Sequence, residues 1–268
     1  MRAVATTRAA AWCAAVVTLA GGCAGGARTP PEIAHQTTPE SMPESTRAEA
    51  WSAVSPRVRI DRARQAVAFD ATAVISEGFL EQYVCTVGTR EHESLFAFNG
   101  KASEIHAALL LAGFQPGTPG RWREVPSADG AFALERVPPA GDEVFARVRL
   151  PSGEERPLDW FVRASPVAPH AADAMPPSRL VFGGSKFITS RKAQAEFYAA
   201  DASGSLIGLV TFGDETIGAV DVIPDQVEVS PAVWEVFVGR MPPPGTKVTI
   251  VLARERAADI PKSTEIKR

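Results

Sequence analysis

Cysteine is nearly absent from this chain: Cys13, Cys23 and Cys85 are the three in 268 residues, beside four histidines and two tyrosines. Two of the three lie in an N-terminal segment that does not belong to the folded part, so no disulfide framework can form. There is no surplus of positive charge either. Lys and Arg number 28 against 31 Asp and Glu, a net charge of −3 with no basic run, which excludes a nucleic-acid surface. The apolar run Ala9–Leu19 is well short of the roughly 20 residues that span a bilayer. The common catalytic signatures are missing: no HExxH, no GxSxG, no phosphate loop and no dinucleotide fingerprint. Asp214, Glu215, Asp221 and Asp225 are scattered and lack calcium-loop spacing. What the chain does have is 22 prolines and 21 glycines, which favour turns and β-structure over long helices.

The N-terminus reads as a targeting segment. Arg2 and Arg8 supply its positive end, and residues 1–22 form the expected signal peptide. Leu19-Ala20-Gly21-Gly22-Cys23 resembles the lipobox of bacterial lipoproteins, in which small residues precede a cysteine that is acylated after cleavage. Leu19 lies four residues before Cys23, where the usual pattern has three, and Ala20 takes that place. The resemblance implies lipidation at Cys23 and a membrane-anchored, extracytoplasmic location at the periplasmic face. Ala24 stands where aspartate retains some lipoproteins in the inner membrane, which points to the outer one. Residues 23–55 then read as the lipidated cysteine and a disordered Pro/Thr/Ser/Glu tether, with His35 solvated in it. Residues 255–268 read as a charged tail. Between them, 56–254 is expected to be a single domain of about 200 residues, enough to bury around 70% of its surface. Its Pro/Ala-rich stretch 164–178, which includes His170, is expected to be one long loop.

Inside that domain the hydrophobic period is mainly two. Val58 and Ile60, then Val67 and Phe69, predict a first hairpin about Asp61-Arg62-Ala63-Arg64. Val144, Ala146, Val148 and Leu150 predict a strand, turned at Pro151-Ser152-Gly153. Its return strand would place Leu158, Trp160 and Val162 on one buried face. A further hairpin is expected from 196–200 and 206–212, with strands at 219–223 and 247–253. Two short helices complete the reading. One is capped by Ser103, carries Ile105, Leu109 and Ala112 and ends at Gly113; the other starts at Ser230-Pro231 and runs to Val238. The fold class expected is α+β, β-rich, with antiparallel hairpins and two short helices. Trp122, Trp160 and Trp234 read as core or half-buried residues.

Most of the chemistry-bearing side chains fall in Gly78–Asn99, GFLEQYVCTVGTREHESLFAFN. Gly78-Phe79-Leu80-Glu81, Cys85 and Gly88-Thr89-Arg90-Glu91-His92-Glu93-Ser94-Leu95 resemble the opening of the bacterial YdjY-domain family. Matching pieces follow in order: His106–Leu110 with Gly113, Pro116-Gly117, Gly184-Ser185-Lys186-Phe187, Tyr198–Asp201 with Gly204, and Pro244–Val248. The chain departs from the family pattern with Arg90 in place of lysine and Leu180 in place of tryptophan. The resemblance brings no defined activity. Some members carry cysteine-rich iron–sulfur segments, but a cluster needs about four thiolates and only Cys85 remains here.

If Gly88-Thr89 is a hairpin loop, Cys85 pairs with His92 and Glu81 with Phe96. A thiol beside an imidazole is how a cysteine nucleophile is activated, and Cys85, His92 and Glu81 would suit a metal such as zinc. A lone buried cysteine is more commonly a small hydrophobe. These residues therefore support two readings. The favoured one is a lipid-anchored extracytoplasmic binding or scaffold module of the cell envelope, without a cofactor, held to the membrane and meeting an envelope protein or ligand. The alternative is an envelope enzyme or metal-binding protein using Cys85, His92 and a carboxylate, Glu81 or Glu93, with Arg90 nearby. His106, on the first helix, reads as packing or solvent-facing.

Overall fold

The computed structural model describes residues 50–127, 130, 132–167, 175–190, 194–224 and 233–254. Cys23, most of the tether, the charged tail, His170 and the Ser230-Pro231 helix start lie outside the described residues. A strand at Ser52–Ser55, ahead of the expected start at residue 56, pairs antiparallel with one at Val58–Asp61.

Eight strands form a closed circuit. In chain order they are β1 (Ala66–Ala73), β2 (Gln82–Thr86), β3 (Ser94–Phe98), β4 (Glu143–Arg149), β5 (Leu180–Val181), β6 (Ser205–Gly208), β7 (Ile217–Ala219) and β8 (Lys247–Ala253). Around the barrel they run β1-β8-β4-β5-β7-β6-β2-β3 and back to β1. The β6–β7 and β2–β3 pairs are parallel and the other six antiparallel. The expected α+β arrangement of antiparallel hairpins is thus corrected to a mixed-sheet barrel. The reason is β1. It is long enough to give one edge to β8 along its whole length and to divide the other between Val58–Asp61 and β3, and the second of these pairings closes the sheet.

An eight-stranded barrel is just wide enough for side chains to fill. Val67, Phe69, Val84, Phe96, Phe98, Val144, Val148 and Ile250 belong to one core cluster and are fully buried. Phe69 meets Phe98 edge to face at 5.2 Å between centroids, and Phe96 meets Phe161 at 5.7 Å.

The first hairpin forms as expected, with Val58 opposite Phe69 and Ile60 opposite Val67. Strand β4 alternates buried and half-buried residues as its period of two requires, and β8 spans 247–253 as read. The return from β4 differs. After Glu155–Pro157 the chain enters a 3-10 turn at Leu158–Phe161, whose three-residue period buries Leu158 and Phe161 together and leaves Trp160 half-buried. Arg240 lies 3.8 Å over the Trp160 ring.

The expected 196–212 hairpin is also corrected. Residues Ala195–Tyr198 pair backwards with Phe187–Ser190, and β6 joins β2 and β7 instead. Between them Ala199–Ser203 forms a short helix, α2, closed by Gly204 in the left-handed conformation. Of the second expected helix, residues 233–238 are described, and Trp234–Val236 among them is a strand beside Val162–Ala164 and Phe79–Leu80. The first helix, α1 (Ala102–Leu111), buries Ile105 and Leu109 as expected and ends before Gly113 at φ +95°. Its N-cap is Lys101, not Ser103. The Ser103 amide is satisfied from outside the helix, by Asp201 Oδ1 of α2 at 2.8 Å.

Candidate functional site

In Gly78–Asn99 the chain does not turn back as a hairpin. Gly88 has φ +84°, Thr89 Oγ1 donates to Thr86 O at 2.5 Å, and Glu91 accepts from the Gly88 amide. A 3-10 turn at Glu91–Glu93 then carries the chain back to the start of β2, where Glu81 N donates to Glu93 O at 2.9 Å. Strand β3 therefore runs parallel to β2, with Cys85 opposite Ala97 and Gln82 opposite Ser94. Seven residues, 87–93, make a crossover that ordinarily takes a dozen or more.

This corrects the pairing of Cys85 with His92. Cys85 is buried within β2, and burial pushes its thiol pKa up, partly offset by hydrogen bonding to Ser94. His92 stands exposed on the 3-10 turn, its Nε2 3.5 Å from Glu93. Among the described residues no three His, Cys, Asp or Glu side chains gather as metal ligands, so Cys85, His92 and Glu81 do not form the metal set considered for them. Three of the sequence candidates do meet. Arg90 Nη1 lies 3.0 Å from Glu93 and 3.4 Å from Glu81, and its guanidinium sits 4.0 Å over the Phe212 ring.

Phe212 belongs to the loop 209–216 between β6 and β7, and that loop leads to a larger polar network. Two of its amides, Leu209 and Val210, donate to Glu81 O. Further along, Glu215 is buried and its carboxyl pKa is raised to about 7 by desolvation, although the backbone amides of Glu215, Asp214 and Gly213 turn toward it. Gly208 and Gly218 press on it: a Cβ on Gly218 would stand 3.2 Å from its carboxylate. Its backbone oxygen accepts from Ser185 N, and Gly184 N donates to Thr216 O.

The Gly184-Ser185-Lys186 segment holds the network together. Gly184 and Ser185 are both left-handed, at φ +81° and +54°. Such a conformation costs a non-glycine residue on the order of 1 kcal/mol or more, and here Ser185 Oγ is fixed on both sides: it donates to Asp214 O and accepts from Ala200 N. Tyr198 OH reaches Gly184 O at 3.1 Å, Thr216 Oγ1 at 3.0 Å and His106 Nδ1 at 2.9 Å. Burial holds the tyrosine pKa well above its usual range and pushes that of His106 down. The His106 ring also packs edge-on against Phe182 and Tyr198.

The network brings together side chains that are far apart in sequence. A family model for the YdjY domain matches residues 58–253. The chain belongs to the YdjY-domain family. The match opens on the first residue of the Val58–Asp61 strand and closes on the last of β8, so it takes in the whole barrel and all of this YdjY network. No curated protein and no solved structure matches the chain.

Beside the network the YdjY domain lifts a two-stranded hairpin, Phe187–Ser190 with Ala195–Tyr198. Phe187 is 69% exposed, and the cross-strand neighbours Ile188 and Phe197 are each 38% exposed. Sequence reasoning passed over Tyr198, Ser185, Thr216 and Glu215 as a group, because nothing in their spacing joins them. One local signal was present: Glu215 is surrounded by Gly208, Gly213 and Gly218, a density of glycine that marks close backbone approach.

Proposed function

We propose that this protein is a lipid-anchored, extracytoplasmic binding module of the bacterial cell envelope, acting by recognition and not by catalysis. The observation that carries the reading is the division of labour at the site: its hydroxyl groups are committed to the backbone or to neighbouring side chains, while the apolar side chains beside them face solvent. Ser185 Oγ is occupied as donor and acceptor, Tyr198 resists ionisation, and Cys85 is sealed in β2. A nucleophile or base needs a free lone pair at the surface. Phe187, Ile188 and Phe197 instead present apolar surface from a hairpin whose base is held by Tyr198 and by the Ala199 N to Lys186 O bond. Exposed aromatics on a rigid support are the usual anchors of protein recognition. The partner is then an apolar segment of an envelope protein or ligand, met near the membrane to which Cys23 tethers the domain.

Two arms test this. Cys23→Ala should move the protein from the membrane fraction to the soluble extracytoplasmic fraction and abolish palmitate labelling. A photo-crosslinking amino acid at Ile188 should give a discrete envelope product that Phe187→Ser with Phe197→Ser removes. A product indifferent to that double substitution would turn the reading away from the hairpin.

A further inference from the structure

Strand β1 changes neighbour half-way along: Ala66–Phe69 pair with Val58–Asp61, and Ala71–Ala73 pair with β3. Where one neighbour leaves and the next begins, a groove of about 470 Å³ opens. Arg57 and Asn99 line it from the two departing strand ends, and Arg149 to Pro151 line it from the end of β4. Lys247 and Thr249 of β8 and Asp70 and Thr72 of β1 complete it. None of these residues belongs to the network or to the hairpin described above.

The charges of this groove are unlike those of the chain as a whole. Asp70 is taken up by Arg59, 2.7 Å away, and Thr249 also donates to it. Arg149 is paired with Glu155, which Arg147 shares at 3.2 Å. Among the described residues no carboxylate is ion-paired with Arg57 or Lys247. The Lys247 ammonium spends one donor on Thr72 Oγ1 at 2.8 Å and keeps two. The groove is thus lined by three cations, Arg57, Arg149 and Lys247, and one acid, Asp70, on a protein whose net charge is −3.

We propose that this groove binds a phosphate-bearing ligand. Two cationic heads from separate segments, Arg57 and Lys247, with the Asn99 amide and the Thr72 hydroxyl between them, supply donors from several directions. A tetrahedral anion offers acceptors in the same way, and charge-assisted bonds to it are the strong kind. The groove is open and walled by the turn Leu150-Pro151, so it accepts a phosphate still attached to a larger body, a phosphorylated polyol or a lipid headgroup. This assignment does not rest on the hairpin reading or on the lipid anchor.

The test uses the full chain carrying Cys23→Ala, so that no acyl chain contributes to vesicle binding. It is titrated calorimetrically at low ionic strength with inorganic phosphate, with glycerol phosphate, and with vesicles of phosphatidylcholine alone or mixed with phosphatidylglycerol. At least one phosphate-bearing probe should bind saturably, weaken on added salt, and lose about tenfold in affinity with Lys247→Gln or Arg57→Gln. Both side chains are exposed, so thermal unfolding should not move with either substitution. Response to the soluble phosphates identifies a small ligand; response confined to phosphatidylglycerol vesicles identifies a headgroup. Absence of saturable binding to every probe, or binding that both variants retain in full, would overturn the assignment.

Discussion

Two stretches of this chain look alike as sequence and fold differently. Residues 58–69 and 78–98 each hold two apolar strands about a short polar turn, yet the first is a hairpin and the second a parallel crossover. The hairpin's turn is closed from within. Asp61, buried at the end of its strand, accepts from the Ala63 and Arg64 amides through Oδ1, both at 3.1 Å, and so folds the chain straight back. The crossover has no such residue. Thr89, Glu91 and Ser94 bond backwards along the chain and wind it into a 3-10 turn, and the rest of its support comes from afar. Glu81 is held by amides of the 209–216 loop, Arg90 lies on Phe212, and Thr89 packs so tightly under Gly204 that a Cβ there would come within 2.0 Å of its hydroxyl. A self-closing turn is readable from its own residues. A turn held by distant elements is not.

The largest way to sharpen this contrast is pH. Glu215 sits in the loop that supports the crossover and not in the hairpin. A carboxyl whose pKa is raised in the fold favours folding most when protonated. That contribution is complete below the ordinary value near 4.5 and is lost as pH rises to about 7. The loss amounts to about 3 kcal/mol by linkage. Stability measured by urea unfolding should therefore fall between about pH 4.5 and 7, and Glu215→Gln should flatten this fall. Amide protection factors at 81–94, taken against the intrinsic exchange rate at each pH, should fall over the same range while those of 58–69 hold. The His106 contribution runs the other way: burial lowers its pKa, so the folded state gains as pH rises from that lowered value, and the gain is complete above the ordinary value of 6.5. His106→Gln should therefore make the fall steeper.

Next in size is the hairpin's own lock. Asp61→Ala leaves the Ala63, Arg64 and Ala50 amides without their shared carboxylate and should cost about 2 kcal/mol. Glu91→Ala, at the corresponding place in the crossover, removes one exposed bond to Gly88 and should cost about 0.5–1 kcal/mol. Comparable losses at the two positions would mean that the crossover is as locally encoded as the hairpin.

The same distinction decides what could be read beforehand. The alternation along β4, the Asp61 turn and the apolar face of α1 are local patterns, and all three were legible. The closure of β1 on β3 joins residues 71–73 to 96–98 and depends on the crossover, so the barrel was not. The 3-10 turn at Leu158–Phe161 was missed because a period of three over four residues resembles a strand's alternation. In the site, Arg90, Glu81 and Glu93 share one stretch but meet through the crossover, which no local pattern announces, and Cys85 and His92 adjoin only in a register the chain does not adopt. Tyr198, Ser185 and Glu215 meet only through the barrel's long-range pairings.

The parallel crossover, which seals Cys85 away from His92, is tested most directly by the reactivity of that thiol. The full chain with Cys13→Ser and Cys23→Ala leaves Cys85 as its one cysteine, and native protein can be treated with iodoacetamide across pH. Burial and the raised thiol pKa predict slow labelling at neutral pH, a rate unchanged by His92→Ala, and rapid labelling only after unfolding. Fast labelling of the native protein that His92→Ala abolishes would contradict the crossover and restore the hairpin that joins the two side chains.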